Sequence, residues 1–318
     1  MSDLSFRPAS GADAAFAADV YTAVRPTTPV DPVVMRHERE NPPDAWVAQY
    51  FVVERDGRSI GVAGFDHPRW DRSDRPFGSV GGELLPDHRS AETLDLVLTE
   101  MERRLVADGA ATVAARANED DPLRIAVIEG RGFREDRRSR RWELDLVTNA
   151  ERIGAMAEAS RARMRAEGVS LLTLRDDRDP EKVRKIWRVS TEAEHDVPTT
   201  LPHVEDTVED YVRWFKAPDI WEDRIWLARE GDDIVGVSLL HYPPVRGIVG
   251  TAWTATARRV RGRGIARAVK CETLMQAMSL GVDRVRTGND AANDPILHIN
   301  SSMGYQPIAS AINFLKDV

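Results

Sequence analysis

The sequence predicts a mixed α/β protein built as two tandem copies of one fold, and three observations carry that reading. Apolar runs joined by Gly-containing turns make a strand pair early in each half, and later strands alternate with helical stretches. That order suits a mixed sheet rather than a purely parallel one. The halves also repeat each other. Phe51–Val62 resembles Trp226–Val237, with Gly61 and Gly236 175 residues apart. Gly130-Arg-Gly-Phe133 resembles Ser302-Met-Gly-Tyr305 at an offset of 172, and Leu4–Arg7 resembles Leu172–Arg175 at 168. Finally, 318 residues is the length of about two domains.

In the first half, a strand at Leu4–Arg7 precedes an Ala-rich helix from Ala12 to Val24, and the Pro-rich stretch Pro26–Pro32 leads to a short helix. The hairpin Tyr50–Glu54/Ser59–Phe65 follows, then a strand at Ser79–Leu85. Leu94, Val97, Met101 and Leu105 mark one helix face. A strand at Ala111–Ala115, a helix opening at Pro122 and a strand at Arg141–Val147 complete residues 1–148. A connecting helix, Glu151–Glu167, occupies 149–168. The second copy, 169–318, repeats the order: strand Val169–Leu174, helices Pro180–Glu194 and Val204–Lys216, hairpin Ile225–Leu240 and strand Ile248–Thr256. A long helix from Gly264, strand Val282–Thr287, a helix from Pro295 and a strand at Ile308–Leu315 close it.

The balance of 44 basic against 52 acidic residues disfavours nucleic-acid binding through a basic surface. One cysteine, Cys271, excludes a disulfide framework and any multi-Cys metal site, and the histidines lack metal-ligand spacing, so no metal is expected. No stretch of about 18 apolar residues predicts a membrane span. The first twenty residues do not read as a signal peptide. A cytoplasmic protein, monomer or homodimer, is expected. Cys271 shares a seam with Ala268, Met275 and Met278 and belongs to the core. Trp214, Trp221 and Trp226 read as core packing.

The most informative segment is Arg258-Arg-Val-Arg-Gly262-Arg-Gly264-Ile-Ala-Arg267, after an expected strand and at the start of an expected helix. A helix start offers unpaired N–H groups and the positive end of its dipole. Gly262 and Gly264 let an anion reach those groups, and Arg259, Arg261 and Arg263 add charge that suits a pyrophosphate. No Gly-Lys-Ser/Thr follows, so this is not a P-loop, and Arg267 at the third glycine position breaks a dinucleotide-binding fingerprint.

Arg259-x-x-Gly262-x-Gly264 resembles the acyl-CoA pyrophosphate loop of the GNAT N-acetyltransferase superfamily. The run Thr287-Gly-Asn289 through Asn293 and Asn300 to Gly304-Tyr305 is similar to that superfamily's next strand and helix. Both halves share the likeness, as in tandem members of the mycothiol synthase type. The resemblance implies two GNAT-like folds and an acetyl-CoA site in 169–318. Backbone at Thr254, Ala255 and Thr256 would pair with the pantetheine arm, and the segment Arg259, Val260, Arg261, Gly262, Arg263, Gly264, Ile265, Ala266 would hold the pyrophosphate. Asn289, Asn293 and Asn300 would flank the cofactor. It implies direct attack by a primary amine of a small-molecule acceptor, with no covalent enzyme intermediate. The same loop without chemistry would make an acyl-CoA-binding sensor.

Two departures stand out. In the first half, Ser90 and Glu92 replace the two glycines and Asp87 replaces Arg259, so that half is expected to be a degenerate copy. In the second, Asn300 stands where many members carry a Tyr that protonates the leaving thiolate. The strand Ile248–Thr256 has no carboxylate or imidazole, so the base is expected from Glu194 or His195 at a helix end, or from His241.

Overall fold

A computed structural model describes residues 4–318. The first half contains β1 (Leu4–Pro8), α1 (Ala14–Val24), α2 (Pro32–Glu40), β2 (Trp46–Arg55), β3 (Arg58–Pro68), β4 (Phe77–Leu84), α3 (Ala91–Ala107), β5 (Thr112–Asn118), α4 (Pro122–Gly130) and β6 (Arg134–Asp145). Helix α5 (Ala150–Ala166) connects it to β7 (Val169–Thr173), α6 (Lys182–Glu194), α7 (Val208–Trp214), β8 (Ile225–Glu230) and β9 (Asp233–His241). Then come β10 (Gly250–Thr256), α8 (Ile265–Ser279), β11 (Arg284–Asp290), α9 (Asp294–Met303) and β12 (Gln306–Asp317). The β2–β3 hairpin turns at Asp56-Gly57, both with positive φ, as a two-residue hairpin loop prefers.

The twelve strands of the described residues form one sheet in the order β1-β2-β3-β4-β5-β12-β6-β11-β10-β9-β8-β7. The last strand of each half has crossed into the other. β12 pairs with β5 and β6, and β6 pairs with β11 and β12, so the sequence repeat and the spatial half are offset by one strand. Side chains explain the exchange. Ile312 and Phe314 of β12 complete the core formed by α3, β4 and β5, while Trp142 and Leu144 of β6 join the core under α8 and β11. Each large apolar side chain buried this way contributes about 1.5–3 kcal/mol. Strand β6 begins well before the expected Arg141. Its charged start pairs with β12 from Arg134 and is joined by β11 from Ser139, and it is steadied by ion pairs such as Arg137–Asp290 at 2.6 Å.

Helix α5 is clamped rather than loose. Ile153, Ala157 and Met164 are buried, and the Arg161 guanidinium grips the buried Glu272 carboxylate of α8 at 2.6 and 2.7 Å. Cys271 is fully buried. Beside it, Lys270 is 1 % exposed, with its ammonium 5.4 Å from the Tyr305 ring centroid. Burial lowers its pKa from the ordinary 10.5 to about 8. Lys270→Met is therefore expected to stabilise the fold by about 3 kcal/mol at pH 7. The lysine's cost is full below about pH 8, where both states are protonated, and vanishes above pH 10.5, where neither is. Denaturant titrations at pH 7 and above pH 10.5 check this, and an equal gain at both would overturn it.

Candidate functional site

Strands β10 and β11 run parallel but touch at a single register pair, Gly250↔Arg286. Beyond Gly250 the two part, and the β11-facing edge of β10 from Thr251 to Thr256 has no strand partner among the described residues. A bulge at Ala252, between the Thr251 and Trp253 pairings with β9, redirects this edge. The opening runs towards the C-terminal ends of both strands, where the Arg-Gly loop lies.

In that loop Gly262 and Gly264 have φ of +78° and +84°, the left-handed region that glycine enters without a Cβ penalty. Gly264 caps α8 with no side chain, and the amides of Gly262 through Arg267 meet no protein acceptor among the described residues. The first amide returned to the chain is that of Ala268, on the Gly264 carbonyl at 3.0 Å. Free amides, a bare backbone and a helix dipole make an anion cradle. Val260 and Ile265, which flank it, are buried and anchor the loop.

The loop's arginines are already engaged. Arg259 reaches Glu230 at 2.6 Å and Asp233 at 2.9 Å, Arg263 reaches Glu167 at 2.6 Å and Glu230 at 2.8 Å, and Arg258 and Arg261 share Asp196, whose carboxyl they hold at about 2. These are exposed, solvent-screened pairs, each weak by itself, so an arriving phosphate can exchange for them at little cost. Sequence reading missed Arg163 of α5, whose guanidinium lies 3.5 Å from the Gly262 carbonyl and beside Gly264. Only the folded connector brings it there.

Along β10, Ala255 is buried, the Thr254 hydroxyl bonds Ser238 at 2.9 Å and the Thr256 hydroxyl is buried without a partner among the described residues. On the far wall Asn300 is fully buried. Its Nδ2 donates to Asn289 Oδ1 at 2.8 Å, while its Oδ1 has no partner among the described residues. Asn293 caps α9 without a side-chain bond.

Where the strands part, a 570 Å³ cavity opens, lined by Thr251, Ala252 and Trp253 of β10, by Glu194, Tyr211 and Trp214 of α6 and α7, and by His241. The opposite wall is Val34, His37, Glu38 and Asn41 of α2 and its end, so the first half completes a cavity of the second. Polar clamps hold α2 there. Asp31 accepts the amides of Val245 and Arg246 at 2.7 and 2.9 Å, and Asp210 accepts the amide of Asp44 at 3.0 Å.

The three candidate bases separate. His195 is not brought to the cavity, because its Nε2 pairs at the exposed surface with Glu205 at 2.8 Å. Glu194 lines the cavity and accepts from the Tyr211 hydroxyl at 3.0 Å, and burial raises its pKa. His241 stands at the apex. Its Nε2 lies over Gly250, so close that a Cβ there would come within 2.5 Å, and its Nδ1 is 3.7 Å from Asp219.

The first half closes its corresponding gap with its own side chains. Strands β4 and β5 pair from Phe77 to Ser79 and then part. Arg124 of α4 spans the opening, donating to the carbonyls of Gly82 on β4 and Arg116 on β5, both at 2.7 Å. Arg89 ties the buried Glu83 to Asp121 at 2.8 and 2.5 Å. The Ser90 hydroxyl caps α3 by accepting from the Thr93 amide. Asp87 and Glu92, the expected obstacles, are exposed; the anion site is closed by the cap and the arginines instead.

This arrangement is the GNAT fold in tandem. A tandem GNAT protein from the clavulanic acid biosynthesis pathway superposes with a TM-score of 0.76 at 16% identity, over 99% of this chain and 98% of that one. A GCN5-related N-acetyltransferase from Sphaerobacter thermophilus gives 0.66 at 19% identity, over 99% and 95%. A protein of Pyrococcus horikoshii gives 0.57 at 14% identity, over 99% and 89%. No protein-family model matches the chain, and no curated protein matches it.

Proposed function

We propose that the chain is an N-acetyltransferase that moves an acetyl group from acetyl-CoA to a primary amine of a small molecule, at one site in the second half. The observation that carries this reading is the union of three features on one strand. β10 has an unpaired edge, leads into a loop of free amides, and forms a wall of the 570 Å³ cavity. The amides of Gly262–Ala266 bind the diphosphate, and the β10 edge at Thr254–Thr256 pairs with the pantetheine amides as a further strand would. The amine approaches from the cavity and attacks the thioester directly, while His241 takes its proton, oriented by Asp219. Asn300 has no proton to surrender, so the leaving thiolate is protonated by solvent.

His241→Gln is expected to lower kcat by about 10²–10⁴-fold with unchanged acetyl-CoA affinity. Thiol release and calorimetry measure the two separately. An unchanged kcat would move the role to Glu194 or to water, and a parallel loss of affinity would make His241 structural. The buried Asn300 also favours a second reading, acyl-CoA binding without transfer. Binding without thiol release across a panel of amines would establish it.

A further inference from the structure

The cavity's location follows from the strand divergence and from His241; its charge then says what enters it. Five carboxylates line it: Glu38, Glu194, Asp206, Asp210 and Asp219. Its one guanidinium, Arg213, is already neutralised, by Asp210 and by Asp44 at 2.9 Å. Neither Glu38 nor Asp206 has a side-chain hydrogen bond or ion pair among the described residues, and Glu194 receives only the neutral Tyr211 hydroxyl. Burial raises the pKa of all three, as for carboxylates removed from water with no cation paired directly to them.

These acids form two groups. Glu38 is in the field of Asp219, His241 and Arg39, at the apex. Glu194 is in the field of Asp206, His195 and Glu205, and Asp206 is in that of Asp210 and Arg213. Glu38 stands on the α2 wall of the cavity and Glu194 on the facing α6 side, so a cation seated against one leaves the other without a counter-charge. The remaining lining includes Trp214, Trp253, Ile220 and Ala252, which suits an apolar body and a cation near aromatic faces.

Resting on the transferase reading, we propose that the acceptor is a small dication with a largely apolar body. Its reacting amine lies between Glu38 and His241, and its second cationic centre is held by Asp206 and Glu194. Glu38 thereby makes the first half a contributor to acceptor recognition. Glu38 and Asp219 hold the incoming ammonium, which loses one proton through His241 to solvent; the neutral nitrogen then forms the amide bond as the thioester C–S bond breaks, its second proton goes to His241, and the thiolate leaves and is protonated by solvent.

The test uses the full chain and two matched pairs of acceptors: 1,4-diaminobutane against butylamine, and p-xylylenediamine against benzylamine. In thiol release with acetyl-CoA, kcat/KM is expected to favour the diamine about ten- to a hundredfold in at least one pair, the worth of one charge-assisted contact. Asp206→Asn should bring that ratio close to one. Calorimetry without any acyl donor should show the diamine binding and the monoamine binding at least tenfold more weakly. Turnover with no diamine preference in either pair, or a ratio unaltered by Asp206→Asn, overturns this proposal and leaves the transferase reading standing. Absence of acetyl-CoA binding and of thiol release overturns both.

Discussion

Gly264→Glu is expected to lower acetyl-CoA affinity at least 100-fold while the protein stays folded. Gly264 sits at φ +84°, where a side chain costs about 1–2 kcal/mol. Its Cβ would lie 3.3 Å from the Arg163 guanidinium, so the new carboxylate is drawn to that cation and placed over the free amides. It then meets a diphosphate at a few Å, at a cost of about 1–4 kcal/mol for each pair of like charges. The strain lowers stability in the free and bound states alike, so the affinity loss comes from repulsion by the two phosphate charges, about 2–8 kcal/mol together, which at 1.4 kcal/mol per tenfold centres beyond two decades. Calorimetry of acetyl-CoA binding and a thermal melt check the two halves of the expectation. An acetyl-pantetheine donor, which lacks the diphosphate, should be used equally by the variant and the parent. Retained nucleotide affinity would mean that the loop is not the anion site.

Separating the halves should be the second large effect. Residues 149–318 alone lack β6, leaving facing edges on β11 and β12, and they lack the α2 wall of the cavity. Unpaired edges recruit other chains, so the fragment should aggregate. Amine acetylation should fall below one hundredth of the parent even in its soluble fraction. Residues 1–148 lack β12, and with it Ile312 and Phe314, in the same way. Co-expression of 1–148 with 149–318 should restore a stable pair and its turnover, since each supplies the other's missing strand. A monodisperse, fully active 149–318 fragment would show that neither the exchange nor α2 matters.

The duplication, the hairpins and the glycine loop with its free amides were legible in the sequence because each is a local matter. An Asp-Gly or Glu-Gly turn between apolar runs makes a hairpin wherever it occurs, and two glycines at a strand-to-helix junction free backbone amides regardless of the remainder. The seam that buries Cys271 is likewise a property of one helix.

What only the tertiary structure decided concerns which distant segments meet. β6 and β12 end their halves alike, and nothing in either strand names its neighbour; the exchange is settled by which core Phe314 and Trp142 fill. Glu194 and His195 are adjacent in sequence, but about 100° of helix rotation sends one into the cavity and the other to Glu205. Arg124, a lone residue in a helix, closes the first gap because β4 and β5 both offer it carbonyls. Glu38, Asp219 and His241 lie up to 203 residues apart in the chain. Local pattern encodes elements and turns, whereas a site made across two halves depends on the packing that brings those halves together.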